Sequence, residues 1–223
     1  SEIEATPGLP RTTSGVRDLT LGEAMRTRSL WLFTIAMFIC GSADAFITTH
    51  LVPLITDYGL SDATAANMLA WLGLLSLAGL LLAGPAADII GSKLPIAIAF
   101  ILRVGLLIML LRVKGVMPFW IFSLGFGFTL LITAPLATML AGTMYGMTHI
   151  GFISGFINTA HMLGGGLWTY LGGLIFDVTG DYDLGFLLSA ALAALAFGCT
   201  LFIREKRHLP PGQAVPGPTL PTP

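Results

Sequence analysis

Long apolar runs alternate with short polar breaks along most of the chain. The six runs lie at residues 29–53, 63–87, 94–111, 118–141, 152–176 and 184–203. Each is close to the about 20 residues that an α-helix needs to cross a bilayer. Strands of a membrane barrel would alternate polar and apolar residues, and these runs do not. The pattern therefore predicts an all-α membrane protein with six transmembrane helices.

The composition supports a lipid-embedded chain. Hydrophobic residues make up 55% and charged residues 10%, whereas a soluble domain carries about 25% charge. The net charge of −1 provides no basic surface, so we expect no nucleic-acid partner. Cys40 and Cys199 fall inside apolar runs and are interpreted as small buried hydrophobic residues. The lipid bilayer is the first partner that the sequence predicts.

The flanks of the apolar runs are polar. Thr20 and Glu23 have the spacing of a capping box, which predicts a short helix at the membrane interface. The chain begins with Ser1 and not Met, which is compatible with a fragment. The predicted segments are a cytoplasmic linker at 1–19, an interfacial helix at 20–28, a six-helix membrane domain at 29–208 and a disordered Pro-rich cytoplasmic tail at 209–223.

The distribution of Lys and Arg predicts the orientation. If both termini are cytoplasmic, eight of the 11 basic residues face the cytoplasm. Arg112 and Lys114 then lie outside, and Arg103 lies within a span. Because cytoplasmic loops carry the excess of positive charge, we expect both termini in the cytoplasm.

A polar frame, G-x-x-x-D-x-x-G, occurs at 84–91 and again 89 residues later at 173–180. Three predicted spans separate the copies, so the copies lie on opposite faces of the membrane. This arrangement predicts a 3+3 inverted repeat, a feature of many transporters. We expect the frames to be tight turns with a conformational role. Their residues are Gly84, Asp88, Gly91, Gly173, Asp177 and Gly180, with Lys93 following the first copy.

Three stretches resemble the major facilitator superfamily. The loop at 84–93 is similar to that superfamily's cytoplasmic loop motif, with a Gly, an Asp four residues on, then a Gly and a basic residue. Residues 46–61 resemble the seventh helix of bacterial members related to monocarboxylate transporters, and residues 172–182 resemble the turn between their last two helices. The resemblance covers residues 20–208 and implies that the chain is the C-terminal half.

This resemblance implies a function. It implies a secondary transporter of the cell membrane (the inner membrane in a Gram-negative bacterium) that moves a small organic solute by alternating access. Together with Arg103 inside a span, it implies a monocarboxylate or another organic anion as the solute. Asp44 inside a span further predicts proton coupling. An N-terminal six-helix half, or a second copy, would complete the solute path, and no cofactor is expected. The alternative is a non-transporting six-helix scaffold or receptor-like partner protein.

Charged groups inside spans are rare and costly, so each one is a candidate site residue. Arg103, in the third span, is either an anchor for an anionic solute or part of an internal ion pair. Asp44, in the first span, either carries the coupled proton or pairs with Arg103. His50, near the outer end of that span, is either a hydrogen-bonding residue or a proton relay.

One face of the fifth span is polar. It consists of Ser154, Asn158, His161, Gly165 and Trp168, which recur at helical spacing. This face predicts an aqueous cavity, and the alternative is a contact between helices. In the fourth span, Thr133 is predicted to lie near the cavity and Pro135 to kink the helix. The sequence contains no Walker loop and no metal-ligand spacing among its histidines, so we expect neither an enzyme nor a metal site.

Overall fold

The computed structural model describes residues 19–203, so most of the predicted linker and all of the predicted tail lie outside the described residues. Within this range the chain is all helical and contains no strand. The helices are α1 (Leu21–Met25), α2 (Arg28–Asp57), α3 (Asp62–Ile90), α4 (Lys93–Arg112), α5 (Val116–Leu130), α6 (Thr133–Tyr145), α7 (Ile150–Thr179) and α8 (Asp183–Phe202).

Five helical stretches of the described chain are long and apolar enough to cross a membrane. They are Arg28–Asp57, Asp62–Ile90, Lys93–Arg112, Val116–Tyr145 and Asp183–Phe202. The fifth predicted span corresponds to α7, which has 30 residues and is therefore about 45 Å long. Helix α7 is not among these five stretches, so its length is what supports its predicted crossing.

The fourth predicted span is interrupted near its middle. Helix α5 ends at Leu130 and α6 begins at Thr133. Pro135 has no N–H to donate to the carbonyl of Leu131, four residues earlier, so the helix loses a hydrogen bond at this point. Ile132 keeps helical angles, φ −64° and ψ −31°, and the two pieces form one kinked rod. The helix is therefore interrupted just before Pro135, where the sequence predicted that it would kink or loosen.

Local sequence signals fix several helix ends. Glu23 accepts a hydrogen bond from the backbone of Thr20 at 2.9 Å, and the Thr20 side chain accepts one from the Glu23 N–H at 3.3 Å. The predicted capping box is therefore present at the start of α1. Gly91 and Gly180 have positive φ, +78° and +77°, and end α3 and α7.

These ends correct the interpretation of the two repeated frames as tight turns. Gly84 and Asp88 lie in the last turns of α3, and Gly173 and Asp177 lie in the last turns of α7. Only the final glycine of each frame leaves the helix, because glycine adopts positive φ without a steric penalty. Each frame is therefore a helix C-terminus with its capping glycine.

The helices pack in three main pairs. Helix α2 packs along α7, α3 along α5 and α6, and α4 along α8. Apolar side chains fill two core clusters between these pairs, one of them around Phe33 and the other around Phe46. The pairing leaves a space between α2, the α5–α6 kink and α7.

Candidate functional site

A cavity of about 720 Å³ occupies this space. Most of its wall is apolar. The polar side chains in the wall are Asp44, Thr48, Thr133, Thr138, Ser154, Asn158 and His161. The structure thus brings Ser154, Asn158 and His161 of the predicted polar face together with Asp44 and Thr133 from other spans.

Asp44 connects a buried cation to the cavity. Its Oδ1 lies 2.8 Å from Arg103 Nη1, and its Oδ2 lies 3.3 Å from His161 Nε2. The Arg103 side chain is fully buried, whereas the side chains of Asp44 and His161 are 13% and 18% exposed. The three ionisable groups therefore form a chain that runs from the interior, through Asp44, to an imidazole in the cavity wall.

The remaining contacts of Arg103 hold it away from the cavity. Nε donates to Thr129 Oγ1 at 3.0 Å, and Nη2 donates to the Thr129 carbonyl at 2.8 Å. Nη1 also donates to Cys40 Sγ at 3.2 Å, and the guanidinium lies 4.9 Å from the centre of the Phe126 ring. The structure therefore shows Arg103 in an internal ion pair. As a direct anchor for a solute, it would have to give up these contacts.

Cys40 belongs to this cluster, although the sequence interpretation treated it as an ordinary hydrophobic residue. Its Sγ lies 3.5 Å from Asp44 Oδ2 and 3.5 Å from Thr133 Oγ1. The signal available in the sequence is the four-residue spacing between Cys40 and Asp44, which puts both on one helix face.

Cys40, Asp44 and His161 are of metal-ligating types, and their ligand atoms lie within 4.8 Å of one another. However, the Arg103 guanidinium already contacts both Cys40 and Asp44. A metal cation would be repelled by this charge at short range. The arrangement is therefore better described as a partnered charge cluster than as a metal centre.

Two other predicted path residues lie outside the cavity wall. His50 Nε2 is 3.1 Å from the Thr169 carbonyl, and its ring packs against Phe46 and Tyr182. Trp168 donates from Nε1 to Ser189 Oγ at 2.8 Å, in the contact between α7 and α8. Both residues tie neighbouring helices together.

The loop residue Lys93 has a defined contact. Its Nζ donates to the carbonyls of Leu201 and Ile203, at 2.9 and 2.7 Å, at the end of α8. At the opposite end of the same helix pair, Lys114 forms an ion pair with Asp183. Helices α4 and α8 are thus antiparallel and are joined by a lysine at each end.

Comparison with known proteins gives consistent matches. The sequence model of the Major Facilitator Superfamily matches residues 7–222. The "Uncharacterized MFS-type transporter YcxA" of Bacillus subtilis (strain 168) is 30% identical over 184 residues, which is 80% of this chain and 44% of that protein.

Two solved structures are similar in fold. FucP, described as a Major Facilitator Superfamily transporter in the outward conformation, has a TM-score of 0.69 at 19% identity over 83% of this chain and 45% of that one. A variant of the E. coli Fucose:proton symporter FucP has a TM-score of 0.70 at 18% identity over 83% and 46%. The chain therefore spans less than half the length of these proteins.

Proposed function

Because the chain belongs to the major facilitator superfamily, a family of membrane transporters and not of enzymes, we propose that it is the C-terminal half of a proton-coupled transporter for small organic anions. The observation that carries this proposal is the chain of ionisable groups from Arg103 through Asp44 to His161 in the cavity wall. The solute would cross by alternating access between this half and an N-terminal six-helix half, or a second copy, in the cell membrane.

The helix pairing supports the 3+3 inverted repeat. An inverted repeat relates span one to span four, span two to span five and span three to span six. A contact between spans one and five therefore predicts a contact between spans four and two. A contact between spans three and six is related to itself by the same symmetry. The observed pairs, α2 with α7, α3 with α5–α6, and α4 with α8, follow this rule. Most basic residues outside the spans lie on the same side of the membrane as the termini. Together with the repeat, this distribution favours cytoplasmic termini.

We place the coupled proton on His161, and the charges in the cluster support this placement. The charge of Asp44 is already balanced by Arg103 at 2.8 Å. Protonation of His161 therefore gives the cluster a net charge of about +1, and deprotonation returns it to zero. Charge interactions are strong in a site with little water. An anionic solute would accordingly bind best when the proton is bound, which couples the two movements.

The rest of the wall is suited to a small amphipathic solute. The apolar surface would contact a short hydrocarbon chain, and hydroxyl and amide groups would bind its polar end. Ser154 Oγ and His161 Nδ1 are two of the six buried side-chain atoms that have no hydrogen-bond partner among the described residues. Both residues line the cavity, so a bound solute or water would satisfy them. A monocarboxylate has both a short hydrocarbon chain and a polar end.

Uptake into vesicles that contain the full-length protein tests this function. With an imposed proton gradient, we expect uptake of labelled monocarboxylates to be stimulated in the wild type. The stimulation should fall by about tenfold in His161→Ala and Asp44→Asn, a loss of roughly 1.4 kcal/mol of coupling. Thr138→Val, which changes the same wall without removing a charge, should retain it.

Other outcomes would contradict parts of the proposal. Wild-type pH dependence in both variants would remove the assigned proton site. Uptake of a neutral sugar, the kind of solute named for FucP, together with no uptake of anions would remove the anionic substrate. No uptake of any solute would favour the alternative, a non-transporting scaffold or receptor-like partner.

A further inference from the structure

Gly41 lies where α2 and α7 touch through their backbones. A Cβ atom built on Gly41 would be 1.9 Å from the carbonyl oxygen of His161 and 2.9 Å from Cγ of its ring. Carbon and oxygen atoms do not approach so closely, so glycine is the residue that this crossing accepts. The backbone of Gly41 is therefore in direct contact with the residue whose imidazole faces Asp44.

Neighbouring glycines fix the same crossing. A Cβ on Gly164 would be 2.1 Å from the Phe38 carbonyl oxygen, and one on Gly165 would be 3.2 Å from the Gly41 carbonyl oxygen. Where two backbones are in contact, no side chain can change its rotamer to alter the distance between the helices. The crossing therefore fixes the separation of α2 and α7 at the level of the proton site.

The distance between His161 Nε2 and Asp44 Oδ2 is sensitive to this separation. At 3.3 Å it is at the long end of a hydrogen bond, and further lengthening weakens the interaction steeply. A methyl group on Gly41 would lie 1.9 Å from the His161 carbonyl oxygen, so the two backbones must move apart by about 1.5 Å to reach normal contact. This displacement would take the imidazole out of hydrogen-bond range of the carboxylate.

We propose that Gly41 is a positioning residue, which sets the distance between Asp44 and His161 and thereby the pH range of transport. The consequence for transport rests on the proposed function, whereas the control of the distance does not. Gly41 would act on the proton site without contacting the solute or the proton.

The experiment compares Gly41→Ala with Gly127→Ala in the full-length protein. Gly127 is a matched control, because its Cβ would be 2.4 Å from the Leu72 carbonyl oxygen in the packing of α3 on α5, a contact that involves neither Asp44 nor His161. Two quantities are measured: the pH midpoint of proton-driven uptake, and the pH titration of His161 by NMR with labelled histidine. The His161 signal is assigned by its loss in His161→Gln.

In Gly41→Ala we expect both midpoints to move to lower pH by about one unit, since the imidazolium loses its carboxylate partner. Gly127→Ala should reduce the amount of folded protein and leave both midpoints within about 0.2 units. Gly165→Ala, which needs a much smaller displacement, provides a second test and should shift them less in the same direction.

The inference fails if Gly41→Ala folds and His161 titrates as in the wild type, or if Gly127→Ala shifts the midpoint equally. If Gly41→Ala does not fold, the inference is overturned when His161 in Gly165→Ala titrates at the same pH as in the wild type. Uptake without pH dependence in the wild type, together with a shifted His161 titration in Gly41→Ala, would remove proton coupling and leave the role of Gly41 intact.

Discussion

At the scale of single residues, Arg103 shows how a charge can be buried in this fold. Removal of a cation from water costs several kcal/mol unless ion pairs and hydrogen bonds replace the lost solvent. Asp44 supplies the opposite charge, while Thr129 and Cys40 accept the other N–H groups. The stabilisation is mutual, because Arg103 in turn supplies the counter-charge of Asp44.

Arg103→Gln should therefore lower the free energy of unfolding by about 3 kcal/mol, because it leaves Asp44 without its counter-charge. The double variant with Asp44→Asn should lose less than the sum of the two single losses. Denaturation of the purified protein in detergent measures both. Arg112→Gln is the matched control, since Arg112 is exposed at the end of the same helix and its change should stay within about 0.5 kcal/mol. Additive losses would refute the coupling.

At the scale of helices, α4 and α8 are held at both ends by the lysines that flank α4. Lys93 covers carbonyls at the C-terminus of α8, where the helix has no further N–H groups to satisfy them. Lys114 pairs with Asp183 at the N-terminus of α8. Such contacts at two distant points would keep the two helices moving as one unit in the proposed alternating-access cycle.

The ion pair between Lys114 and Asp183 stabilises the fold only over a defined pH range. Burial alone would lower the pKa of Lys114, but the hydrogen bond and charge of Asp183, with a contribution from Tyr58, raise the pKa above its ordinary value of 10.5. The folded pKa thus exceeds the unfolded pKa. The stabilisation is complete below pH 10.5 and is lost as the pH rises through the folded value.

Hydrogen exchange can separate the two lysine contacts. Lys93→Met should speed amide exchange at the C-terminal end of α8 by about fivefold, equivalent to roughly 1 kcal/mol for the lost hydrogen bonds. Lys114→Met should speed exchange at the N-terminal end instead, and each variant is the control for the other. Equal effects of both variants at both ends would show that the contacts do not act locally.

At the scale of the whole molecule, the chain corresponds to less than half of each relative it matches. All of the cavity wall described above comes from α2, the α5–α6 rod and α7. The proposed repeat requires the two G-x-x-x-D-x-x-G frames to lie on opposite sides of the membrane. This requirement can be tested without knowing the solute.

Asp88→Cys and Asp181→Cys provide exposed labelling sites near the two frames, while the native cysteines are buried. A membrane-impermeant maleimide should label the first variant only in inverted vesicles and the second only in right-side-out vesicles. The amount labelled after detergent is added controls for reactivity. Labelling of both variants from one side would contradict the inverted repeat and the predicted orientation.

Much of the fold follows from local sequence. The apolar runs, the capping box at Thr20 and the kink at Pro135 depend on hydropathy and backbone hydrogen bonds within a few residues. Helical spacing likewise places Ser154, Asn158 and His161 on one face. The repeated frames were located correctly but taken as turns, because the sequence pattern alone does not show that the helix continues to the last glycine.

The sequence by itself determined the helices and the polar face of α7, since both arise from interactions between near neighbours along the chain. The tertiary structure decided which helices meet. It joined Arg103 to Asp44, brought Cys40 into the same cluster, and placed Trp168 against α8 and not in the cavity. These contacts link distant positions, and they depend on where glycines such as Gly41 let two backbones touch.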